Sequence, residues 1–379
     1  MANIELIATA SFGLEAVVKR ELIDLGYTDL MVENGKVTFK GTERDIPKAN
    51  IWLRTADRVL LKIGEFKALS FDELFEKTKA LPWEEWIPVD GNFIVEGKSI
   101  DSKLYSISDC QRIVEKAIVE KLKTKYDVSW FEKTGPKYTV EVALLKDIAT
   151  LTIDTSGDGL HKRGYRSRQG EAPIKETLAA AMVLLSYWNK DRVLFDPFCG
   201  SGTILIEAAM IGKNMAPGID RTFAAEGWPR INKEYWTEAR REALKAIDTK
   251  SKLHILGCDI DKKAVLRARD NAANFGLEDD ITFFVKDFRN VDLRNEYGVV
   301  ITNPPYGERL GEKKEVENLY KDLGLKFREL DTWSVYVITS DENFERHYGK
   351  KADKKRKLYN GRIKVNYYQF YGPKKPVNS

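Results

Sequence analysis

Cysteine and histidine are scarce in this chain, three of each in 379 residues. Cys110, Cys199 and Cys258 are odd in number and include no Cys-x-x-Cys pair, which excludes a disulfide framework and points to a reducing compartment, the cytoplasm. His161, His254 and His347 stand apart and offer no metal-ligand spacing. No run approaches the roughly 18 uninterrupted apolar residues of a membrane span. The amino-terminus has no basic stretch, and its short apolar run soon meets Glu15 and Lys19, unlike a secretory leader. An excess of one charge is also missing: 62 Lys and Arg oppose 58 Asp and Glu, so net charge is a weak argument for a polyanionic partner. The expectation is a cytoplasmic protein with no metal, no membrane contact and no obligate protein partner.

Two motifs carry the chemistry. The apolar run Arg192 to Phe195 leads into Asp196-Pro197-Phe198-Cys199-Gly200-Ser201-Gly202-Thr203 and then into the apolar stretch Ile204 to Met210. That order reads as a buried strand, a glycine turn and a helix, over which a nucleotide-like ligand sits. The turn lacks the third glycine of a nicotinamide fingerprint and the Gly-Lys-Ser/Thr of a phosphate loop. A second strand, Leu253 to Cys258, ends in Asp259-Ile260-Asp261. Asp259 is placed to take both ribose hydroxyls, and Asp261 to do so or to cap the helix beginning near Lys262. A third strand, Ile281 to Val285, ends in Lys286-Asp287-Phe288, where a carboxylate could reach an adenine amine and a ring could pack on its face. The strand Val299 to Thr302 closes on Asn303-Pro304-Pro305-Tyr306. An amide oxygen and a prolyl carbonyl accept hydrogen bonds from an amino group while the tyrosine ring stacks on a flat base. Methyl transfer from S-adenosylmethionine to an exocyclic amine fits these groups, with Asn303 close to both cofactor and acceptor.

With those residues in place, the chain from residue 160 onward resembles a class I S-adenosylmethionine-dependent methyltransferase of the amino-methylating type. Residues 161–166 and Ala172 to Met182 look like the segment before the first strand in RNA guanine-N2 methyltransferases that carry a THUMP domain, and this resemblance implies cofactor contacts from Lys175 and Thr177. The stretch Ala216-Pro217-Gly218 with Arg221, Phe223 and Trp228 is similar to an insertion those enzymes carry. Ala8 to Glu15, Glu21-Leu22 and Leu25-Gly26 resemble the opening of their ferredoxin-like subdomain, and Ser106 to Leu122 a THUMP helix. The relatives suggested are bacterial 23S rRNA guanine methyltransferases, often loosely named DNA methylases.

The expected architecture is α/β: a Rossmann-like methyltransferase domain at 156–379, preceded by an α+β ferredoxin-like subdomain at 1–64 and a THUMP RNA-binding domain at 65–155. Strand and helix alternate after residue 156, the pattern of a parallel sheet. Residues 356–359 and 362–367 read as an antiparallel hairpin across Asn360-Gly361, and Glu33-Asn34-Gly35-Lys36 marks another. In the helix from Ser108, Ile113, Ala117, Ile118 and Leu122 are expected on one buried face. Glu345 to Lys364 holds nine Lys/Arg against two acids, and His161 to Lys175 five against one. Lys162, Arg163, Arg166, Lys354, Lys355, Arg356 and Lys357 are therefore expected to contact RNA phosphates, with rRNA favoured over tRNA. Asn303 in place of Asp suits adenine, guanine and glutamine amines alike. The same chemistry on a tRNA guanine or an adenine of RNA or DNA therefore stays open, as does an RNA-binding assembly factor with a vestigial cofactor pocket.

Overall fold

The computed structural model describes residues 3–166, 174–306 and 312–374. Ala172 and Pro173 of the segment before the first methyltransferase strand lie outside them. The chain forms two compact units. One holds the residues up to Ala10, Val18–Leu160 and Arg221–Ala243; the other holds Ser11–Val17, His161–Asp220 and the chain from Leu244 on.

The first unit is built on β1 (Ile4–Ala10), α1 (Glu15–Asp24, of which Glu15–Val17 count with the other unit), β2 (Leu30–Glu33), β3 (Lys36–Gly41), α2 (Asp45–Trp52) and β4 (Ala56–Lys67), then α3 (Phe71–Lys79), β5 (Asn92–Ile100), α4 (Ile107–Tyr126), β6 (Lys137–Leu145) and β7 (Ile148–Asp154). Seven strands make one sheet in the order β2-β3-β1-β4-β7-β6-β5. Its pairings are antiparallel except β5 with β6. The boundary expected at 64/65 falls inside β4, which pairs with β1 on one side and β7 on the other. Pairing with β1 ends at Lys62 and pairing with β7 shifts register between Lys62 and Gly64, so β4 passes from one partner to the other next to the expected boundary. Gly35, at φ +77, closes the β2–β3 hairpin where the Asn-Gly pair places it. In α4 the buried stripe is Cys110, Val114, Ala117, Ile118 and Leu122; Val114, not Ile113, falls on the 3.6-residue period.

The second unit continues with α5 (Glu176–Leu184), β8 (Leu194–Asp196), α6 (Thr203–Gly212), α7 (Lys233–Lys245), β9 (Ile255–Asp259), α8 (Lys262–Ala273), β10 (Ile281–Val285), β11 (Val299–Thr302), α9 (Glu312–Arg328), β12 (Ser334–Thr339), α10 (Phe344–Tyr348), β13 (Lys354–Asn360) and β14 (Ile363–Phe370). Most of α7 counts with the first unit. The strand order is β10-β9-β8-β11-β12-β14-β13. Parallel pairing holds from β10 to β12, and β14 and β13 add antiparallel. Every residue of β8, β11 and β12 is buried, as a parallel sheet covered on both faces demands. One apolar layer gathers Leu178, Leu205, Val265, Ile301 and Tyr367; the other gathers Phe195, Val300, Tyr320, Phe344 and Tyr368.

One stretch expected to belong with the methyltransferase sheet does not. Arg221–Ala243 counts with the first unit, where Trp228 stacks on Tyr138 at 4.8 Å between ring centroids and donates Nε1–H to the Lys137 carbonyl at 3.1 Å. Arg221 donates to the carbonyls of Asp158 and Gly159, and Arg230 pairs with Glu43 at 2.9 Å. Buried aromatics and arginines, not sequence neighbours, decide where this stretch packs.

Candidate active site

Strand order reverses between β8 and β11, which lie side by side. In an open α/β sheet the ligand crevice forms at such a switch point, outside the carboxyl ends of the strands. The glycine turn leaves β8 there, and Asn303 to Tyr306 leaves β11.

The turn is shaped by two left-handed glycines, Gly200 at φ +51 and Gly202 at φ +81. They serve differently. A Cβ on Gly202 would lie 3.0 Å from Phe283 Cζ and 3.1 Å from Ala268 Cβ, whereas one on Gly200 would meet nothing within 4 Å. Gly202 therefore packs the turn down, and Gly200 leaves open space above it. Backbone bonds from Cys199 N to the Cys258 carbonyl (3.0 Å) and from Gly202 N to the Cys199 carbonyl (2.7 Å) hold the loop. The buried Asn271 adds a bond from Nδ2 to the Ser201 carbonyl at 3.0 Å. Helix α6 starts at Thr203 and points its amino end at the opening, a position that favours negative charge.

Asp196 lies beneath this turn, not in the opening. It is 1% exposed, and its Oδ1 accepts from Thr302 Oγ1 at 2.6 Å and from Phe198 N at 3.1 Å. Burial pushes its carboxyl up to about 7, against the two hydrogen bonds and with help from the Asp259 charge. Asp196 thus braces β8 to β11 and joins the two motifs. Pro197 is buried beside it and Phe198 half-buried.

Asp259, half-buried at the end of β9, accepts from Gly200 N at 3.0 Å through Oδ2 and from Asp261 N at 2.9 Å through Oδ1. Each oxygen keeps a further lone pair for a ligand hydroxyl. Asp261 caps α8, accepting from Lys263 N at 2.8 Å. Ile260, 76% exposed, supplies apolar surface at this edge. The expectation for Phe288 needs correcting. Its ring is 3% exposed and packs against Phe198 and Phe327, because a 3-10 turn over Phe288–Asn290 carries it into the core. Asp287 accepts from Arg289 N at 2.9 Å and from Arg289 Nη1 at 2.7 Å, so Arg289 already holds the carboxylate expected to meet adenine.

At the second motif Tyr306 donates its hydroxyl to Asn303 Oδ1 at 2.5 Å, the oxygen expected to receive the acceptor amine. Pro304 is buried and Pro305 exposed. Tyr320 of α9 donates to the Pro305 carbonyl at 2.8 Å and lies 2.9 Å from Thr339 Oγ1. Tyr320 and Thr339 belong to no motif in the sequence, whereas Thr302, a threonine closing the otherwise apolar β11, is a local signal of a polar partner.

The basic residues near 161–166 divide. Lys162 is exposed, but Arg163 is 2% exposed and pairs with the buried Glu207 at 3.2 Å, which Tyr165 also contacts. Arg166 donates to the Ile174 carbonyl at 2.7 Å and to Thr203 Oγ1 at 2.8 Å, and pairs with Glu176 at 3.1 Å. Neither arginine presents a free phosphate-binding head. Glu207, the lone acid of an apolar helix, was the missed signal, since a buried carboxylate needs a partner. Lys175 precedes α5 with a partly exposed side chain, while Thr177 is 2% exposed and packs inside. On β13, Lys354, Lys355 and Lys357 are exposed and Arg356 half-buried.

Cys199 and Cys258 are buried. Burial raises both thiols, Cys258 to about 12, which leaves no reactive thiolate at the turn. Among the described residues no group of three or more His, Cys, Asp or Glu is arranged to hold a metal. No helix among them is long and apolar enough to cross a membrane.

Comparison with known proteins matches residues 163–369 to the RMKL-like methyltransferase domain, 5–60 to the RlmL ferredoxin-like domain and 68–154 to the THUMP domain. The chain is 55% identical to the "Putative RNA methyltransferase YpsC" of Bacillus subtilis (strain 168), over 99% of this chain and 98% of that one. It is 35% identical to the "Ribosomal RNA large subunit methyltransferase K/L" of Syntrophotalea carbinolica, over 97% of this chain but 54% of that protein, so it spans about half of that relative's length. A crystal structure of SMU.472, described as "a putative methyltransferase complexed with SAH", shares 47% identity, with a TM-score of 0.93 over 99% of this chain and 100% of that one.

Proposed function

We propose a function for a chain that belongs to the RMKL-like methyltransferase family, with its RlmL ferredoxin-like and THUMP regions: it methylates the exocyclic 2-amino group of a guanine in RNA, 23S rRNA before tRNA, in the cytoplasm. The family's fold is that of an S-adenosylmethionine-dependent methyltransferase. The observation that carries the reading is the Thr302–Asp196 bond, which joins the glycine turn to the turn of Asn303 to Tyr306 across two adjacent parallel strands.

The residues present fit the cofactor. The open space over Gly200, the amino end of α6, the spare lone pairs of Asp259 and the exposed Ile260 would receive its methionine, ribose and base portions. When bound, it supplies a methyl group on a positively charged sulfur. An aryl amine is a weak nucleophile because its lone pair is conjugated into the ring. Asn303 Oδ1 and the Pro304 carbonyl accept its two N–H bonds, favour a pyramidal nitrogen and fix its direction, so alignment lowers the barrier. Tyr306 gives up its bond to Asn303 as the amine arrives and packs its ring on the base. Tyr320, anchored on Thr339, holds the Pro305 carbonyl and with it the course of the turn. A base stacked in a duplex cannot enter, so the target must be unpaired or flipped.

Asn303→Ala should leave cofactor affinity nearly intact and lower the single-turnover methylation rate by about 100-fold or more; an unchanged rate would remove the aligning role. Asp259→Ala should weaken S-adenosylmethionine binding by about 1.5–3 kcal/mol, read by isothermal titration; unchanged affinity would move the ribose contact elsewhere. Mass spectrometry of rRNA and tRNA nucleosides from cells lacking the protein tests the acceptor. Loss of N2-methylguanosine from the 23S fraction supports the reading, and loss of a methylated adenosine instead overturns it.

A further inference from the structure

The far edge of the methyltransferase sheet turns a basic, aromatic surface toward the same rim as the acceptor turn. Strand β13 is antiparallel to β14, and β14 to β12, so β13 runs parallel to β11. Lys355 is in register with Thr302 through Tyr368 and Val337. Lys357 and Tyr359 therefore lie past the level of Thr302, on the rim where Asn303 to Tyr306 emerge. Three strand spacings separate them, about 14 Å.

Phe12 joins this corner. Its ring is 52% exposed and meets the half-buried Tyr359 edge-on, centroids 6.1 Å apart. Gly13, at φ +92, passes so close to β13 that a Cβ there would lie 2.8 Å from the Lys357 carbonyl, so the backbone beside Phe12 lies against the strand. Lys357 Nζ lies 5.5 Å from the Tyr359 ring centroid. Residues 350–364 hold eight Lys/Arg against one acid; among the described residues, one of the eight, Lys364, has an acidic partner within 4 Å, Glu342. A single exposed ring would be ordinary. A close pair of rings beside exposed lysines is the combination by which proteins bind single-stranded nucleic acid, rings for bases and cations for backbone.

We infer that Phe12 and Tyr359 form a stacking platform for an unpaired nucleobase of the RNA, a few nucleotides from the target base, with Lys355 and Lys357 on the intervening phosphates. The inference rests on the RNA-methylation reading above. It assigns the substrate an unpaired stretch around the target, since a duplex would keep its bases from both the platform and the Asn303 pocket.

Filter binding of full-length protein to a short single-stranded RNA and to the same RNA in duplex, over a salt series, tests it. The Phe12→Ala/Tyr359→Ala double variant should weaken single-strand binding by about 5- to 150-fold with the salt slope unchanged, because stacking releases no counterions. Phe12→Tyr and Tyr359→Phe should bind like the parent. Lys355→Gln/Lys357→Gln should instead flatten the slope by about 0.7 for each phosphate no longer neutralised. Cofactor titration and a thermal melt, both expected unchanged, report whether the double variant is folded. Parent-like single-strand affinity in the double variant, or an equal loss on duplex, overturns the platform. If the platform fails while Asn303→Ala still abolishes RNA methylation, the functional reading stands. A parent protein that neither binds nor methylates RNA overturns both.

Discussion

The two basic segments of the methyltransferase unit look alike as sequence and are opposite as structure. Around residues 161–166, Arg163 is sealed against Glu207 and Arg166 is spread over Ile174, Thr203 and Glu176. On β13, Lys354, Lys355 and Lys357 stand in solvent. The two arginines of the first set, unlike the exposed Lys162, hold the surroundings of the glycine turn together; the lysines of the second set face solvent, where a polyanion can reach them. A run of cations in a sequence therefore says nothing about role until its acidic partners are located. Here one partner, Glu207 of α6, lies 44 residues along the chain from Arg163, and the other, Glu176 of α5, begins the next helix after Arg166.

The strongest test of that contrast is Arg163→Ala. Removing one member of a buried pair leaves the other charge uncompensated, at about 3–5 kcal/mol. A matching fall in the denaturation midpoint is expected, with the salt slope of RNA binding intact. Replacing the pair together, Arg163→Met with Glu207→Leu, should recover much of the loss. A stable Arg163→Ala protein with a flattened salt slope would break the comparison, because that arginine would then belong with the exposed set.

Asp196 sharpens it from the acidic side, as a buried charge site with hydrogen bonds in place of a cation. Its folded-state carboxyl sits near 7, against an ordinary 3.8. Between those values the folded protein holds a proton that the unfolded chain has released, so this group's contribution to stability is full below about pH 4. It is lost as pH rises through 7. Asp196→Asn keeps the oxygen that accepts from Thr302 and Phe198 and removes the titration. The stability difference between variant and parent should drift in the variant's favour from pH 4 to 8, by no more than about 4 kcal/mol. Denaturant melts across that range check it, and a flat difference would mean that Asp196 is ionised throughout.

The smallest effect on folding belongs to the exposed set. Lys354→Gln, Lys355→Gln and Lys357→Gln together should change stability by less than about 0.5 kcal/mol per site while reducing the salt dependence of RNA binding. Thermal melts and salt titrations on the same samples separate the two. A large melting shift would place these lysines with the structural set.

What could be read from the residues alone is the local geometry of the candidate site. Glycines at 200 and 202, an acid at 259 and Asn303 to Tyr306 at a strand end could be read because each constraint lies within a few residues: φ angles, alternation, and what a strand's last residue can reach. Alternating strands and helices likewise pointed to the parallel sheet and Asn360-Gly361 to a hairpin, while the hairpin's place at the sheet's edge was implied by the family resemblance. Tertiary structure alone decided which polar groups are spent internally. Asp196 meets Thr302 across 106 residues, Arg163 meets Glu207 across 44, and Tyr320 reaches back 15 to the Pro305 carbonyl. It also turned Phe288 into the core and sent Arg221–Ala243 to the first unit. The physical reason is common to these cases. A buried polar group costs free energy until it finds a partner, and partners are supplied by the folded packing of distant elements, about which neighbouring residues carry no information.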